Sequence, residues 1–203
     1  METTIFLCRH GETDWNKENR FQGATGTSDL SDTGKKQAHL LGERLKDYGI
    51  ELIFSSKAKR NLHTADIVSE ETSISVIIVD ELRERSLGIL EGKTRLWYKE
   101  HYPESFKIYQ KTKDMPGIEG AESVEEVAER SLKAIQKIVE ENKGENIAII
   151  NHRGFIKSFI FGLTGKSAAD INQDNCCINV IKYNGKGFKV EKINETGHLT
   201  GIA

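Results

Sequence analysis

The chain has 203 residues, long enough to bury roughly 70% of its unfolded surface and to fold without disulfide or metal staples. Lys and Arg total 29 against 31 Asp and Glu, a formal net charge of -2, which argues against a polybasic face for nucleic acid or membrane. Cys8, Cys176 and Cys177 make neither a disulfide framework nor a zinc-ligand spacing. No signal-like N-terminus or 18-residue apolar run occurs, so the expectation is a reduced, cytoplasmic protein with no bound metal or cofactor.

In chain order, residues 3 to 9 (TTIFLCR) predict a buried strand. Residues 10 to 31 are polar and Gly-rich and predict a loop, followed by a helix over about 32 to 48. Ala38, Leu41, Leu45 and Tyr48 share one face of that helix, and Gly49 stands at its end. Strand is predicted over 51 to 56, helix over 59 to 71 and strand over 75 to 80. The stretch from 81 to 122 is the least regular, with both prolines and an aromatic group of Trp97, Tyr98, Tyr102, Phe106 and Tyr109. It predicts short core-packed helices or a cover over a site. A long helix begins after Ser123, a predicted N-cap, and runs to about Asn142. Strand follows over 145 to 151, helix over 153 to 163, and two strands over 176 to 193 around the Asn184-Gly185 turn.

Strands that are continuous apolar runs, alternating with helices over short links, predict an α/β fold: a mostly parallel central sheet with helices on both faces. The chain reads as one domain, with 81–122 an elaboration of it.

Ligands of open α/β sheets sit beyond the carboxyl ends of the strands. There the first strand delivers Arg9 and His10, the second leads to Arg60, the third to Glu84, and the fourth to His152 and Arg153. Two histidines, several arginines and one carboxylic acid suit phosphoryl transfer, in which catalysis is mainly positioning and charge stabilisation. A neutral imidazole can take the phosphoryl group covalently, and arginine forks match its oxygens. Glu84, if burial keeps it protonated, can protonate the leaving oxygen. No residue cluster suggests a metal.

"RHGETDWN", then "FQG", "SSKAKRNLHTA", "ELRERSLGILEG", "GAES" and "NHRG", in that order, resemble the histidine phosphatase family, also called phosphoglycerate mutase-like. The resemblance runs from about residue 4 to "GHL" at 197–199. It implies that His10 is the phosphorylated nucleophile, that Arg9, Arg60 and His152 hold the transferring group, and that Glu84 is the acid and base. It places Gly11, Asn16, Gln22 and Gly23 on the phosphate or substrate side, and it implies a small phosphorylated substrate.

Two positions depart from the family pattern. Arg153 stands where glycine is common, and Asn61 where alanine is usual. Arg153 either adds a cation for a second anionic group on the substrate or points to solvent. The short 93–120 stretch lacks the arginine pair of the bisphosphoglycerate-dependent mutases, and the total length resembles the broad-specificity and α-ribazole phosphatases. A phosphatase is therefore expected, with a mutase as the alternative. A non-catalytic phosphate-binding module is disfavoured because the full catalytic set is present.

"GLTGKS" (162–167) has Ile160 where a P-loop needs glycine, and reads as a helix-ending turn. The cysteines read as core. His39, His63 and His101 read as isolated surface or cap residues, and His198 as structure near the site.

Overall fold

A computed structural model describes residues 1–25 and 27–202. β1 (Thr3–Arg9) is followed by a one-turn helix α1 (Asp14–Lys17) and by α2 (Asp32–Asp47). Next come β2 (Leu52–Ser55), α3 (Lys59–Thr72) and β3 (Val76–Ile78). The segment the sequence left irregular holds α4 (Arg95–His101) and α5 (Pro103–Thr112). The chain continues as α6 (Val124–Glu141), β4 (Asn146–Asn151), α7 (Arg153–Thr164), β5 (Ile178–Tyr183) and β6 (Phe188–Glu195).

The six strands form one sheet in the order β3-β2-β4-β1-β5-β6. The first four run parallel, and β5 turns back antiparallel to β1 and is followed by antiparallel β6. The expected mostly parallel sheet is therefore present, with a hairpin added at one edge. Side chains alternate across a strand, so β1 sends Ile5 and Leu7 to one face and Phe6 and Cys8 to the other. On the first face they meet Ile135 and Ile138 of α6 and Phe155 and Phe159 of α7. On the second they meet Leu41 and Leu45 of α2 and Ala65 and Val68 of α3. Both layers are closed by residues buried to within a few per cent, and each buried Leu, Ile or Phe contributes about 1.5–3 kcal/mol.

Side-chain caps mark the starts of α2 and α6. Ser31 accepts the amide of Gly34 at the start of α2. Ser123 and Glu126 form a reciprocal capping box at the start of α6, as the sequence predicted. β3 is shorter than expected because Asp80 already begins a 3₁₀ turn, and Ile77 and Ile78 on this edge strand are exposed. "GLTGKS" is a helix end: Gly165 closes α7 in the left-handed region at φ 68°.

The 81–122 segment has its own small core of Phe21, Leu90, Tyr98, Met115 and Ile118, with Trp97, Tyr102, Phe106 and Tyr109 packed around it. Buried Arg85 ties its two ends together, donating to the carbonyl oxygens of Glu122 (2.6 Å) and Lys113 (2.7 Å). Glu122 in turn pairs with Arg83 and Arg130, and those two guanidinium groups hold its carboxyl down at about 2 against its partial burial.

Candidate active site

In the register of the parallel pair, Arg9 of β1 lies opposite Asn151 of β4, so the next residues, His10 and His152, leave neighbouring strands side by side. Their rings approach edge to face, with centroids 5.7 Å apart. Arg60 arrives from the first turn of α3, and Glu84 from the loop after β3. Four strand ends thus converge, as the sequence predicted.

The hydrogen-bond partners assign the ring nitrogens. His10 Nδ1 lies 2.7 Å from the carbonyl of Gly11, which can only accept, so Nδ1 carries the proton and Nε2 keeps its lone pair. His152 Nδ1 lies 2.9 Å from an Arg60 nitrogen, which can only donate, so Nδ1 accepts and Nε2–H points to Ser56 Oγ at 2.7 Å. Both imidazoles are held neutral. Burial pushes each well below its ordinary value, and the charge of Arg60 adds to this, joined at His10 by that of Arg9.

Arg9 donates to the carbonyl of Gln173 at 2.9 Å. Its Nε is buried without a hydrogen-bond partner among the described residues. Burial, then the charge of Arg153, lowers its guanidinium to about 10, still a full cation at neutral pH. Arg60 is almost wholly buried and donates from Nη2 to the carbonyl of Gly23 at 2.9 Å.

Glu84 is half-buried rather than enclosed, so the expected burial is not what the structure shows. Instead it sits on the N-terminal turn of α7. Oε1 accepts the amides of Arg85 and Phe155, both at 2.8 Å, and Oε2 accepts that of Gly154 at 3.1 Å. Gly154 must be glycine for this approach, because a Cβ there would lie 2.7 Å from Glu84 Oε1. Oε2 holds one donor against two on Oε1, which leaves it the more open acceptor position.

These groups border a cavity of about 330 Å³. Arg9, His10, Asn16, Gln22, Gly23, Arg60, Glu84 and Arg153 line it. Gly11 and His152 are not among the lining residues. Gly11 works from behind, anchoring His10, and His152 stands one layer back with its Nδ1 on Arg60. Asn16 accepts from the amide of Thr13 within the α1 capping box and from Asn175 Nδ2. Gln22 donates to Thr13 Oγ1 at 2.9 Å. Of the aromatic group in 81–122, Tyr109 reaches the cavity, while Trp97, Tyr98, Tyr102 and Phe106 do not line it.

Of the two departures, Arg153 lines the cavity rather than pointing away from it. Asn61 is buried and donates to the carbonyl of Ile150 at 3.0 Å, tying α3 to β4 just before His152. The histidines read as isolated have partners: His39 pairs with Glu71, His63 with Asp29, and His101 stacks on Trp97. His198 lies 3.0 Å from the carbonyl of Cys176, whose own amide donates to the carbonyls of Arg9 and His10. Sequence reasoning missed Asn175, which donates to the carbonyl of His10, and the cavity cations Arg20, Arg85, Arg95, Lys113 and Lys157. Nothing in their local sequence marks them, because they meet only in the folded chain.

A neutral imidazole with a free lone pair, flanked by two buried arginines and faced by one carboxyl group, defines a phosphoryl-transfer site of the phosphohistidine type on an α/β scaffold. Residues 5–196 match the family described as "Histidine phosphatase superfamily (branch 1)", and the chain belongs to it. It is 33% identical to the metal-independent phosphoserine phosphatase of Arabidopsis thaliana, over 98% of this chain and 84% of that protein. It is 31% identical to a probable phosphoglycerate mutase, GpmB, of Salmonella paratyphi B, over 98% of this chain and 96% of that protein. Among solved structures, YhfR of Bacillus stearothermophilus superposes with a TM-score of 0.90 at 30% identity, covering 97% of this chain and 99% of that one. The chain is an enzyme of the phosphatase class.

Proposed function

We propose that the protein hydrolyses small phosphomonoesters without a metal ion, through a phosphohistidine on His10. The observation that carries this reading is the tautomer of His10. With Nδ1–H fixed on Gly11, Nε2 is the nucleophile, and burial, joined by the charges of Arg60 and Arg9, keeps the ring unprotonated. Nε2 attacks phosphorus as the ester P–O bond breaks, and Glu84 gives its proton to the leaving oxygen. A water then attacks the phosphohistidine, the N–P bond breaks, and Glu84 recovers a proton from that water. Inorganic phosphate leaves and His10 is neutral again. Arg9 and Arg60 neutralise the equatorial oxygens throughout, each charged hydrogen bond contributing about 1.5–3 kcal/mol. His152 acts through Arg60, holding its fork toward the phosphate, and Asn16, Gln22 and Gly23 border the bound group.

We read the chain as one domain in which 81–122 forms a cap on the substrate side. Arg85, Leu87, Arg95, Tyr109, Lys113 and Met115 of that segment line the cavity, which supports this reading. A cap of this kind sets substrate choice and limits water access to the phosphoenzyme.

The test is turnover of p-nitrophenyl phosphate by the purified chain in excess EDTA. Activity that survives the chelator and is lost in His10→Ala supports the mechanism, and activity abolished by EDTA contradicts it. Phosphorus NMR with 3-phosphoglycerate, with and without 2,3-bisphosphoglycerate, separates hydrolase from mutase. Growth of inorganic phosphate alone supports the hydrolase, and bisphosphate-dependent formation of 2-phosphoglycerate would make it a mutase.

A further inference from the structure

The cavity holds more positive charge than one phosphate uses. Beyond Arg9 and Arg60, its wall carries Arg95 from the start of α4, Lys113 from the end of α5, and Arg153 and Lys157 from α7. Arg153 and Lys157 are one helical turn apart and therefore share a face of α7. No carboxylate lies within 4.0 Å of any of these four among the described residues. Asp114, the acid next to Lys113, is already taken by Arg85 and the amide of Val124. By contrast, Arg83, Arg85 and Arg130, at the base of the same cap, each pair with a carboxylate within 4 Å.

Lys157 is the telling member. The residue is 5% exposed, and among the described residues Nζ makes one hydrogen bond, to the carbonyl of Ala168 at 2.9 Å. A buried ammonium with three donors and no carboxylate is a costly arrangement unless an anion comes to it. The same burial and the neighbouring cations bear on its pKa. Burial, then the charges of Arg153, Lys113, Arg9 and Arg95, lowers it to about 7. Lys113 is lowered in the same way, by burial and then by Arg153 and Arg95, with Asp170 opposing.

We propose that Arg153 and Lys157, facing Arg95 and Lys113 across the cavity, form a second anion subsite, so that the preferred substrates are phosphomonoesters whose other end carries an anionic group. The inference rests on the phosphatase reading and names its substrate class. The apolar surface of Phe21, Tyr109 and Met115 beside the cations leaves room for a short carbon skeleton between the two anionic ends. Arg153, where the family commonly has glycine, supplies one of the two α7 cations.

The experiment compares kcat/KM for 3-phosphoglycerate and glycerol 3-phosphate, which share a phosphate and a three-carbon skeleton but differ by a carboxylate against a hydroxymethyl group. The wild-type chain prefers the carboxylate by about tenfold or more at pH 6.5, the effect of one charged hydrogen bond. Arg153→Gly and Lys157→Met each reduce that ratio by roughly fivefold or more, mainly through KM. Arg95→Gln repeats the effect from the cap side, should a change in α7 disturb folding. Between pH 6.5 and 8.5 the wild-type ratio falls as Lys157 loses its proton, while Lys157→Arg keeps it. Propane-1,3-diol bisphosphate distinguishes a second phosphate from a carboxylate as the favoured end group. A wild-type ratio near one, or a ratio unchanged in the variants, overturns the subsite. If the wild type hydrolyses neither ester, the phosphatase reading fails on its own. Calorimetric Kd values of the two compounds, for wild type and for Arg153→Gly, then decide the subsite without turnover.

Discussion

Glu91 is predicted to control catalysis without touching the phosphate. Its Oε1 accepts the amides of Ala24 (3.0 Å) and Leu87 (3.1 Å), and its Oε2 accepts the amide of Thr25 (3.0 Å) and the Thr25 hydroxyl. One carboxylate thus joins the cap loop at 87–91 to the loop whose Gly23 carbonyl receives Arg60. Glu91→Gln leaves one oxygen and sets an NH₂ against at least one backbone N–H. The lost charged bond costs roughly 1–2 kcal/mol, since Thr25 is exposed and water replaces part of it. A domain of this size then loses about 2–8 °C in Tm. Loosening the Gly23 carbonyl also lets the Arg60 fork drift, and a shift of even part of an ångström lowers kcat/KM by about tenfold or more. Gly23→Ala attacks the same junction from the other side. Gly23 has φ +61°, and a Cβ there would stand 2.1 Å from Glu91 Oε1. The assay is kcat and KM for p-nitrophenyl phosphate beside thermal unfolding. Refutation would be a Glu91→Gln enzyme that melts lower while its kcat/KM stays within a factor of two, because the strap would then be structural alone.

Further outcomes are expected. His152→Asn lowers kcat by about a hundredfold through the released Arg60, and Ser56→Ala does so by less; equal effects on a binding-only readout, with kcat intact, would contradict the positioning role. Glu84→Gln slows alkyl phosphates far more than p-nitrophenyl phosphate, whose leaving group needs little protonation; a uniform loss would remove Glu84 from the proton path. His10 and His152 both have folded-state values below their ordinary 6.5, so the unfolded chain binds more protons as pH falls. Their stabilisation is complete above pH 6.5 and is lost as pH drops below it, which urea unfolding at pH 7 and pH 5 checks. A double variant, His10→Asn with His152→Asn, should show a flatter profile; the same slope in both proteins would place the effect elsewhere.

The order of strands and helices was readable because the buried strands are apolar runs and helices such as α2 and α6 carry marked ends. Ser123 and Gly49 show this at the two kinds of helix end. The candidate catalytic set was readable for a related reason: Arg9 ends β1 and His10 follows it, His152 follows β4, Arg60 lies in the first turn of the helix after β2, and Glu84 lies in the loop after β3. The fine roles were not. His152 stands behind the cavity because Ser56 and Arg60, close to neither histidine in sequence, clasp its ring. Glu84 is held by three amides, two of them at the start of α7, rather than by burial. The helices α4 and α5 escaped a definite assignment because both are short and α5 buries no residue fully, their order coming from the aromatic cluster around Tyr98. Lys157 and Arg153 acquire meaning only when α7 is set against the cap.

The measurement that tests the account most directly is rapid quench of the enzyme during turnover of a phosphomonoester, followed by peptide mapping by mass spectrometry. The account predicts a phosphoryl group on the peptide containing His10, stable to alkali, labile to acid, and absent in His10→Ala. A competent enzyme that turns over its substrate with no phosphate on His10 at any time, or with phosphate on another residue, would contradict it.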